Sequence, residues 1–340
     1  MKNKIFNSIV VIVSACIFVS FFIFNKGLNS LIEDLKLLNT SWISLAILLM
    51  LIFLIFEMLT LYIITKNFYN TDNLLISSIK FEIVGQFFGA VTPFSAGSHP
   101  AQLYSMTESK IPAGIAGSIL MVKFIIYQAI NIFILLLAFV FKFNYFSSKV
   151  KYFLYLSISG VIIHIIITIF AILFSINNKI PKSIFKFVFK ILKKFHLTRN
   201  TENTYKKIET ELNEFHKNAS LMSKHIKMCI YIAILTFLEC LSFSSIPYCI
   251  YRSFGFNSTD ILTMIAAQIF LTNFMAIIPL PGAEGGAEGG FYLIYSLFFK
   301  GDSIITALFV WRIITYYSVV AVGSIFTLII PNSNLRKHKT

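Results

Sequence analysis

Seven ionisable residues, Glu57, Glu82, Lys123, Glu239, Glu284, Glu288 and Arg312, stand inside stretches of sequence that are otherwise strongly apolar. Buried ammonium and guanidinium groups among carboxylates can hold an anion such as a phosphate, accept a cationic headgroup, or carry protons. Each such charge costs about 2.5–3.5 kcal/mol at the centre of a membrane helix, so seven of them require a reason. They pair off and brace the fold, for example Arg312 with Glu288, or they bind something, or both. The densest chemistry lies at 279–290, which reads Pro-Leu-Pro-Gly-Ala-Glu-Gly-Gly-Ala-Glu-Gly-Gly. Glycine and proline at that density interrupt a regular helix. If a helix restarts near Ala283, Glu284 and Glu288 share one face close to its positive end; if they are buried dry, one of them holds a proton. The glycines at 285, 286, 289 and 290 also fit close helix contact. A second break, 92–100, contains Thr92, Pro93, Gly97 and the lone histidine His99, which reads as a hydrogen-bonded tip residue with no second metal ligand in view. No nucleophile triad, phosphate-binding glycine loop, dinucleotide fingerprint or paired metal spacing is present, so no cofactor, no metal and no catalytic residue is expected.

The elements that must position these groups are set by composition. The chain has 340 residues, 57% hydrophobic and 13% charged, which excludes a soluble globular class. Apolar runs at about 5–24, 41–65, 113–141, 152–176, 226–250 and 303–330 each reach the roughly 20 residues needed to cross a hydrocarbon core. The regions 74–107 and 261–299 are apolar but broken in the middle, and each half is short for a span. They read as re-entrant hairpins, because irregular backbone at membrane depth survives only where protein or trapped water satisfies it. The fold expected is an all-α integral membrane protein, with about six transmembrane helices and two re-entrant hairpins in a single polytopic domain over 1–340.

Charge sets the orientation. The segment 177–225 carries eleven basic residues against four glutamates, and it belongs in the cytoplasm with Lys2, Lys4 and the tail Arg336-Lys337-His338-Lys339. The formal charge of +14 thus serves topology and anionic lipid, with no nucleic acid expected. Within that segment Ile184, Phe185, Val188, Ile191, Leu192 and Phe195 recur at helical spacing opposite lysines, the pattern of a helix lying in the membrane surface. A second, more polar helix is expected from Tyr205 to Met222, with Tyr205, Ile208, Leu212 and Phe215 on one face, and both read as solvated connectors hugging the bilayer. The first apolar run is too long for a signal-peptide core and lacks a cleavage site, so it reads as a retained helix. Cys16, Cys229, Cys240 and Cys249 read as small buried hydrophobes.

This topology implies an inverted repeat. The halves 41–141 and 226–330 each give a span, a hairpin and a span, in the same order and opposite direction. Landmarks recur: Glu57, Thr92-Pro93 with Gly97, then Lys123 and Tyr127; and Glu239, Ile278-Pro279 with Gly282, then Arg312 and Tyr316. Lys123 and Arg312 each fall roughly 13–15 Å into their spans, near the middle of a core about 30 Å thick.

Thr92-Pro93-Phe94-x-x-Gly97-x-x-Pro100-x-Gln102-x-Tyr104, together with Pro279-x-Pro281-Gly282-x-x-Gly285-Gly286-x-Glu288-Gly289, resembles the two signature stretches of the flippase-like membrane domain of the multiple peptide resistance factor, the lysyl-phosphatidylglycerol synthase/flippase. Val310-Trp311-Arg312-x-x-Thr315-Tyr316-Tyr317 is similar too, and the resemblance covers nearly the whole sequence. Ser98-His99 departs from the paired glycine and polar residue usual there. The family's aminoacyl-transferase is a separate soluble domain with no room before Thr340, so lysyl transfer is not expected from this polypeptide alone.

The resemblance implies a plasma-membrane protein that moves a phospholipid, such as aminoacylated phosphatidylglycerol, between leaflets. Glu284, Glu288 and Glu57 or Glu239 would accept a cationic headgroup, while Lys123 and Arg312 hold the phosphate. Thr92, Pro93, Gly97, Pro281, Gly282, Gly285 and Gly286 would shape the site. Two alternatives stand beside it. One is a membrane component or truncated relative of a phosphatidylglycerol lysyltransferase, tied to cationic-peptide resistance. The other is a proton-coupled transporter of a small solute or isoprenoid phosphate. Membrane lipids, a separate aminoacyl-transferase and a second copy of the chain are the partners considered.

Overall fold

The structure, a computed structural model, describes residues 27–69, 73–194 and 201–329. The expected first span, 5–24, and the basic tail lie outside the described residues. The rest is helical, with no strand among the described residues: α1 (Leu28–Leu37), α2 (Thr40–Phe68), α3 (Leu74–Ala90), α4 (Ser98–Glu108), α5 (Ala113–Ser147), α6 (Phe153–Ile176), α7 (Lys179–Lys194), α8 (Thr201–Lys224), α9 (Ile226–Ser253), α10 (Ile261–Met275), α11 (Gly286–Tyr295), α12 (Ser303–Arg312), a π-helical turn (Ile313–Tyr317) and α13 (Ser318–Ile329). Among the described residues, five stretches are long and apolar enough to cross a membrane: Thr40–Phe68, Ala113–Ser147, Phe153–Ile176, Ile226–Ser253 and Ser303–Phe326. Their outward faces carry exposed Ile47, Leu48, Leu51, Ile166, Ile169 and Phe170, a surface that water would not tolerate and lipid does. The protein is an all-α membrane protein.

Helices α2 and α9 lie antiparallel along their whole length. Asn39 N–H donates to the Ser253 carbonyl at 2.9 Å, Trp42 meets Tyr248 edge-on, Phe53 meets Phe243, and Phe68 meets His225. Around this pair the helix ends sort into two layers. Lys142, at the end of α5, bridges Asp260 at the start of α10 at 3.4 Å in the layer that holds Asn39 and Ser253. In the opposite layer the Tyr69 hydroxyl donates to the Lys110 carbonyl, and Lys182 of α7 bridges Glu209 of α8.

Both broken regions fold as hairpins that leave from the layer they entered. Helix α3 rises from the α7–α8 layer, the chain turns at 91–97, and α4 returns to Lys110. Helix α10 starts from the opposite layer, the chain turns at 276–285, and α11 returns toward Asp302. The turns share one backbone pattern. After Pro93 come Phe94 and Ser95 at φ 53° and 55°, and after Pro281 come Gly282 and Ala283 at φ 59° and 51°. The same bonds close both turns: Ser95 N–H to Thr92 O and Ala96 N–H to Pro93 O in one, Ala283 N–H to Leu280 O and Glu284 N–H to Pro281 O in the other. The expected register was Pro93 with Pro279. The backbone instead makes Pro281 the counterpart of Pro93, because consecutive left-handed residues fix the position of the turn.

Three further expectations change. Helix α11 starts at Gly286 rather than near Ala283, since three left-handed residues at 282, 283 and 285 block a helix there. Glu284 therefore lies in the turn and shares no helix face with Glu288. The glycines also split: a side chain at Gly286 would strike Ile278 and one at Gly290 would strike Leu271, both in the other half of the same hairpin, whereas Gly285 and Gly289 face open space. Helix α8 is not a solvated connector. Phe215, Ala219 and Met222 are buried, Gly114 N–H of α5 donates to the Glu211 carboxylate at 2.6 Å, and His216 reaches the Phe174 carbonyl of α6. Helix α7 keeps Ile184 and Phe187 exposed, as a surface-lying helix does; the expected face beyond Phe187 lies outside the residues whose side chains are described.

Candidate functional site

The charged residues gather into two centres, one beside each hairpin. In the first, four elements converge on Lys123 of α5. Its Nζ lies 2.8 Å from Glu82 Oε2 of α3 and 3.3 Å from Glu57 Oε1 of α2. Gln86, one turn beyond Glu82, donates from Nε2 to Glu57 Oε2 and, at 3.3 Å, to Glu82 Oε1. Gln102 of α4 donates to Glu82 Oε2 at 3.1 Å, and it fits because residue 85 is glycine; any side chain there would overlap the Gln102 amide. Glu239 of α9 is buried within electrostatic reach of Lys123, Glu57 and Glu82. His99, on the first turn of α4, stacks edge-on against Phe124.

The second centre is built on Arg312, the last α-helical residue before the π-turn. A π-turn inserts one residue per turn and shifts the side chains around it, a feature common at functional sites. Arg312 is 2% exposed. Its Nε donates to Glu288 Oε1 at 2.6 Å and its Nη1 to the Gly282 carbonyl at 3.0 Å. Nη2 also lies 2.6 Å from Glu288 Oε1, so two guanidinium nitrogens share one carboxylate oxygen. Glu288 works at both ends. Its Oε2 accepts the Gly285 N–H at 2.6 Å, capping the start of α11 where a negative charge is favoured. Arg312 also stands over the ring of Tyr316 at 4.9 Å. Glu284 lies nearby, within electrostatic reach of Tyr317.

The hairpin tips join the two centres. Pro93 and Pro281 pair as an antiparallel bridge, and the Tyr316 hydroxyl donates to the Ala90 carbonyl of α3 at 3.2 Å. Thr92 holds its own turn, donating to Phe88 O at 2.6 Å and accepting from Gly97 N–H at 2.8 Å. Gly282 is required twice: its φ is +59°, and a side chain there would strike the Tyr316 ring. Gly282→Val is expected to cost about 2–5 kcal/mol, from left-handed strain plus overpacking. Gly289→Ala, at the fourth residue of α11 and facing open space, is expected to be neutral or to stabilise by about 0.5–1 kcal/mol. Thermal unfolding in detergent, comparing the two midpoints, checks both signs.

Of the site residues expected from sequence, Arg312, Glu288, Gly282 and Gly285 come together with Glu284 at one centre, and Lys123, Glu57 and Glu239 at the other. Thr92, Pro93, Gly97 and Pro281 shape the tips between them. Gly286 packs against Ile278 within its own tip. Lys123 and Arg312 are both buried among carboxylates, yet they do not share a centre. Sequence reasoning passed over Gln86, quoted Gln102 only within the first signature stretch, and left Glu82 outside the site. The helical spacing of Glu82 and Gln86, one turn apart on an apolar helix, is the signal that could have found those two.

The family described as the lysylphosphatidylglycerol synthase TM region matches residues 6–323. The chain belongs to this family. No individual curated protein matches it. Membership in a lysylphosphatidylglycerol synthase TM family places the two centres in a lipid-related membrane protein, and both lie within the matched residues. The signature stretches read from sequence coincide with the two hairpin tips, and the third, around Arg312, coincides with the π-turn.

Proposed function

We propose that the protein moves a phospholipid, with aminoacylated phosphatidylglycerol the first candidate, between the leaflets of the cell membrane. The observation that carries this is the buried Arg312–Glu288 ion pair, set beside the point where two hairpins from opposite layers meet. A buried guanidinium beside carboxylates fits both ends of such a headgroup, its cationic fork a phosphate oxygen and Glu288 with Glu284 an ammonium. The two tips interrupt otherwise apolar spanning regions, and Phe94, Ser95, Ala96 and Leu280 stay exposed there, which suits backbone that lines a water-filled cavity, as at the midplane sites of transporters. The shared turn pattern and the antiparallel α2–α9 pair support an inverted repeat, with halves 41–141 and 226–330. One half rocking against the other would expose the tips to each leaflet in turn. Basic α7 and α8 then mark the cytoplasmic side, with both chain termini on it.

The test is leaflet transfer in reconstituted vesicles of labelled lysyl-phosphatidylglycerol, phosphatidylglycerol and a glycolipid, side by side. Faster transfer of the first or second over protein-free vesicles is the expected result; equal rates for all three with and without protein refute the reading. The family description, which names a synthase, favours one second reading, a membrane partner for a separate aminoacyl-transferase. That reading predicts aminoacylated lipid only when both polypeptides are expressed together.

A further inference from the structure

The Lys123 centre contains more negative charge than its own residues can neutralise. Three carboxylates, Glu57, Glu82 and Glu239, face one ammonium, and the remaining hydrogen-bond partners, Gln86 and Gln102, are uncharged amides. Fully ionised, the centre would hold two uncompensated negative charges at membrane depth, and each buried, unpaired ion carries a penalty of several kcal/mol. A metal ion does not resolve this, because the Lys123 ammonium already occupies the space between the Glu57 and Glu82 oxygens. Protons do. Every titratable group facing the centre can be named: Glu57 on α2, Glu82 on α3, His99 on α4, Lys123 and Tyr127 on α5, and Glu239 and Cys240 on α9. Of the three carboxylates, Glu239 alone receives no hydrogen bond from an amide or ammonium in this arrangement.

We propose that the Glu57–Glu82–Lys123–Glu239 centre is a proton-binding site that couples lipid passage to proton movement. The inference rests on the reading of the protein as a lipid translocator and adds its driving ion. Glu82 is carried by α3, the rising arm of the first hairpin, whereas Glu57 and Glu239 sit on the packed α2–α9 pair. Withdrawal of the hairpin tip therefore takes Glu82 away from Lys123 and hands the ammonium to the two carboxylates left behind. Glu239 then gives its proton to water on one side, and when Glu82 returns to Lys123, Glu239 takes a proton from the other. His99, half-buried on the first turn of α4 and within electrostatic reach of Lys123 and Glu82, stands between this centre and the tip.

Two measurements on the full-length protein test this. First, infrared spectra of the purified wild type at neutral pH should show the carbonyl stretch of protonated carboxylic acid, which Glu239→Gln diminishes while the thermal midpoint stays at the wild-type value. Absence of that band in wild type overturns the proposal without reference to transport. Second, in vesicles carrying labelled phosphatidylglycerol, an imposed pH gradient should accelerate transfer by wild type, a protonophore should abolish the acceleration, and Glu239→Gln and Glu57→Gln should each lose it. Transfer by wild type that ignores gradient and protonophore rejects the coupling and leaves the lipid reading standing. No transfer under any condition, with the infrared band present, rejects the lipid reading and retains the proton site.

Discussion

Arg312→Ala is expected to reduce leaflet transfer to the level of protein-free vesicles. It should also destabilise the protein by about 3–5 kcal/mol, the cost of removing one partner of a buried pair and leaving the other charged. The geometry explains why both effects are large. Arg312 holds Glu288 through Nε and the turn carbonyl of Gly282 through Nη1, so its loss releases the cap of α11 and the left-handed turn together. Because a brace and a binding residue would both fail in this variant, Arg312→Lys separates them. Lysine restores the charge but cannot span Glu288 and Gly282 at once, since its ammonium is a single point where the guanidinium is a fork. Stability should recover in large part, as read by the denaturant midpoint, while transfer stays near background. Full recovery of transfer in the lysine variant would reduce Arg312 to a charge that props the fold, and the phosphate contact would have to be given up.

The spans and hairpins were legible in the sequence because membrane insertion imposes length and hydrophobicity on each segment separately. Glu57, Lys123, Glu239 and Arg312 stood out for the same reason, each being an expensive residue in apolar surroundings. How they combine was not legible. Lys123 lies at similar depth to Arg312 in the sequence reading, yet the fold gives it Glu57 and Glu82 and gives Arg312 Glu288, because helix rotation decides partners and depth does not. Gln86 and Gln102 are cheap residues in any window, and they become structural only once Gly85 lets Gln102 in beside Glu82. The register of the second tip was misjudged between Pro279 and Pro281 because composition marks a break without saying which residue turns left-handed. Phe94 and Ser95, both at positive φ, show that the conformation is imposed by the hairpin and not by glycine content. The π-turn after Arg312 left no trace in a sequence that reads as plain helix.

The contact between the tips leads to the second large effect. Proline has no amide hydrogen, so in the Pro93–Pro281 bridge any ladder bonds fall to flanking residues, and the pair takes the close position of an antiparallel ladder, with Cα atoms about 4.5 Å apart. That separation is within the range of about 4.4–6.8 Å in which a disulfide forms. Pro93→Cys combined with Pro281→Cys is therefore expected to cross-link on oxidation, scored by a shift to a faster-migrating band that reductant reverses. If passage of a headgroup requires the tips to part, the oxidised double variant moves no lipid above background and regains its rate on reduction, while each single variant is indifferent to redox state. The cross-link itself tests the geometry and the transfer rate tests the mechanism, so the two cannot be confused. Lipid transfer by fully cross-linked protein at the reduced rate would mean that the tips stay together throughout the cycle. The substrate would then have to pass along the outside of the α2–α9 pair, and neither the Arg312 centre nor rocking halves would have a part in moving it.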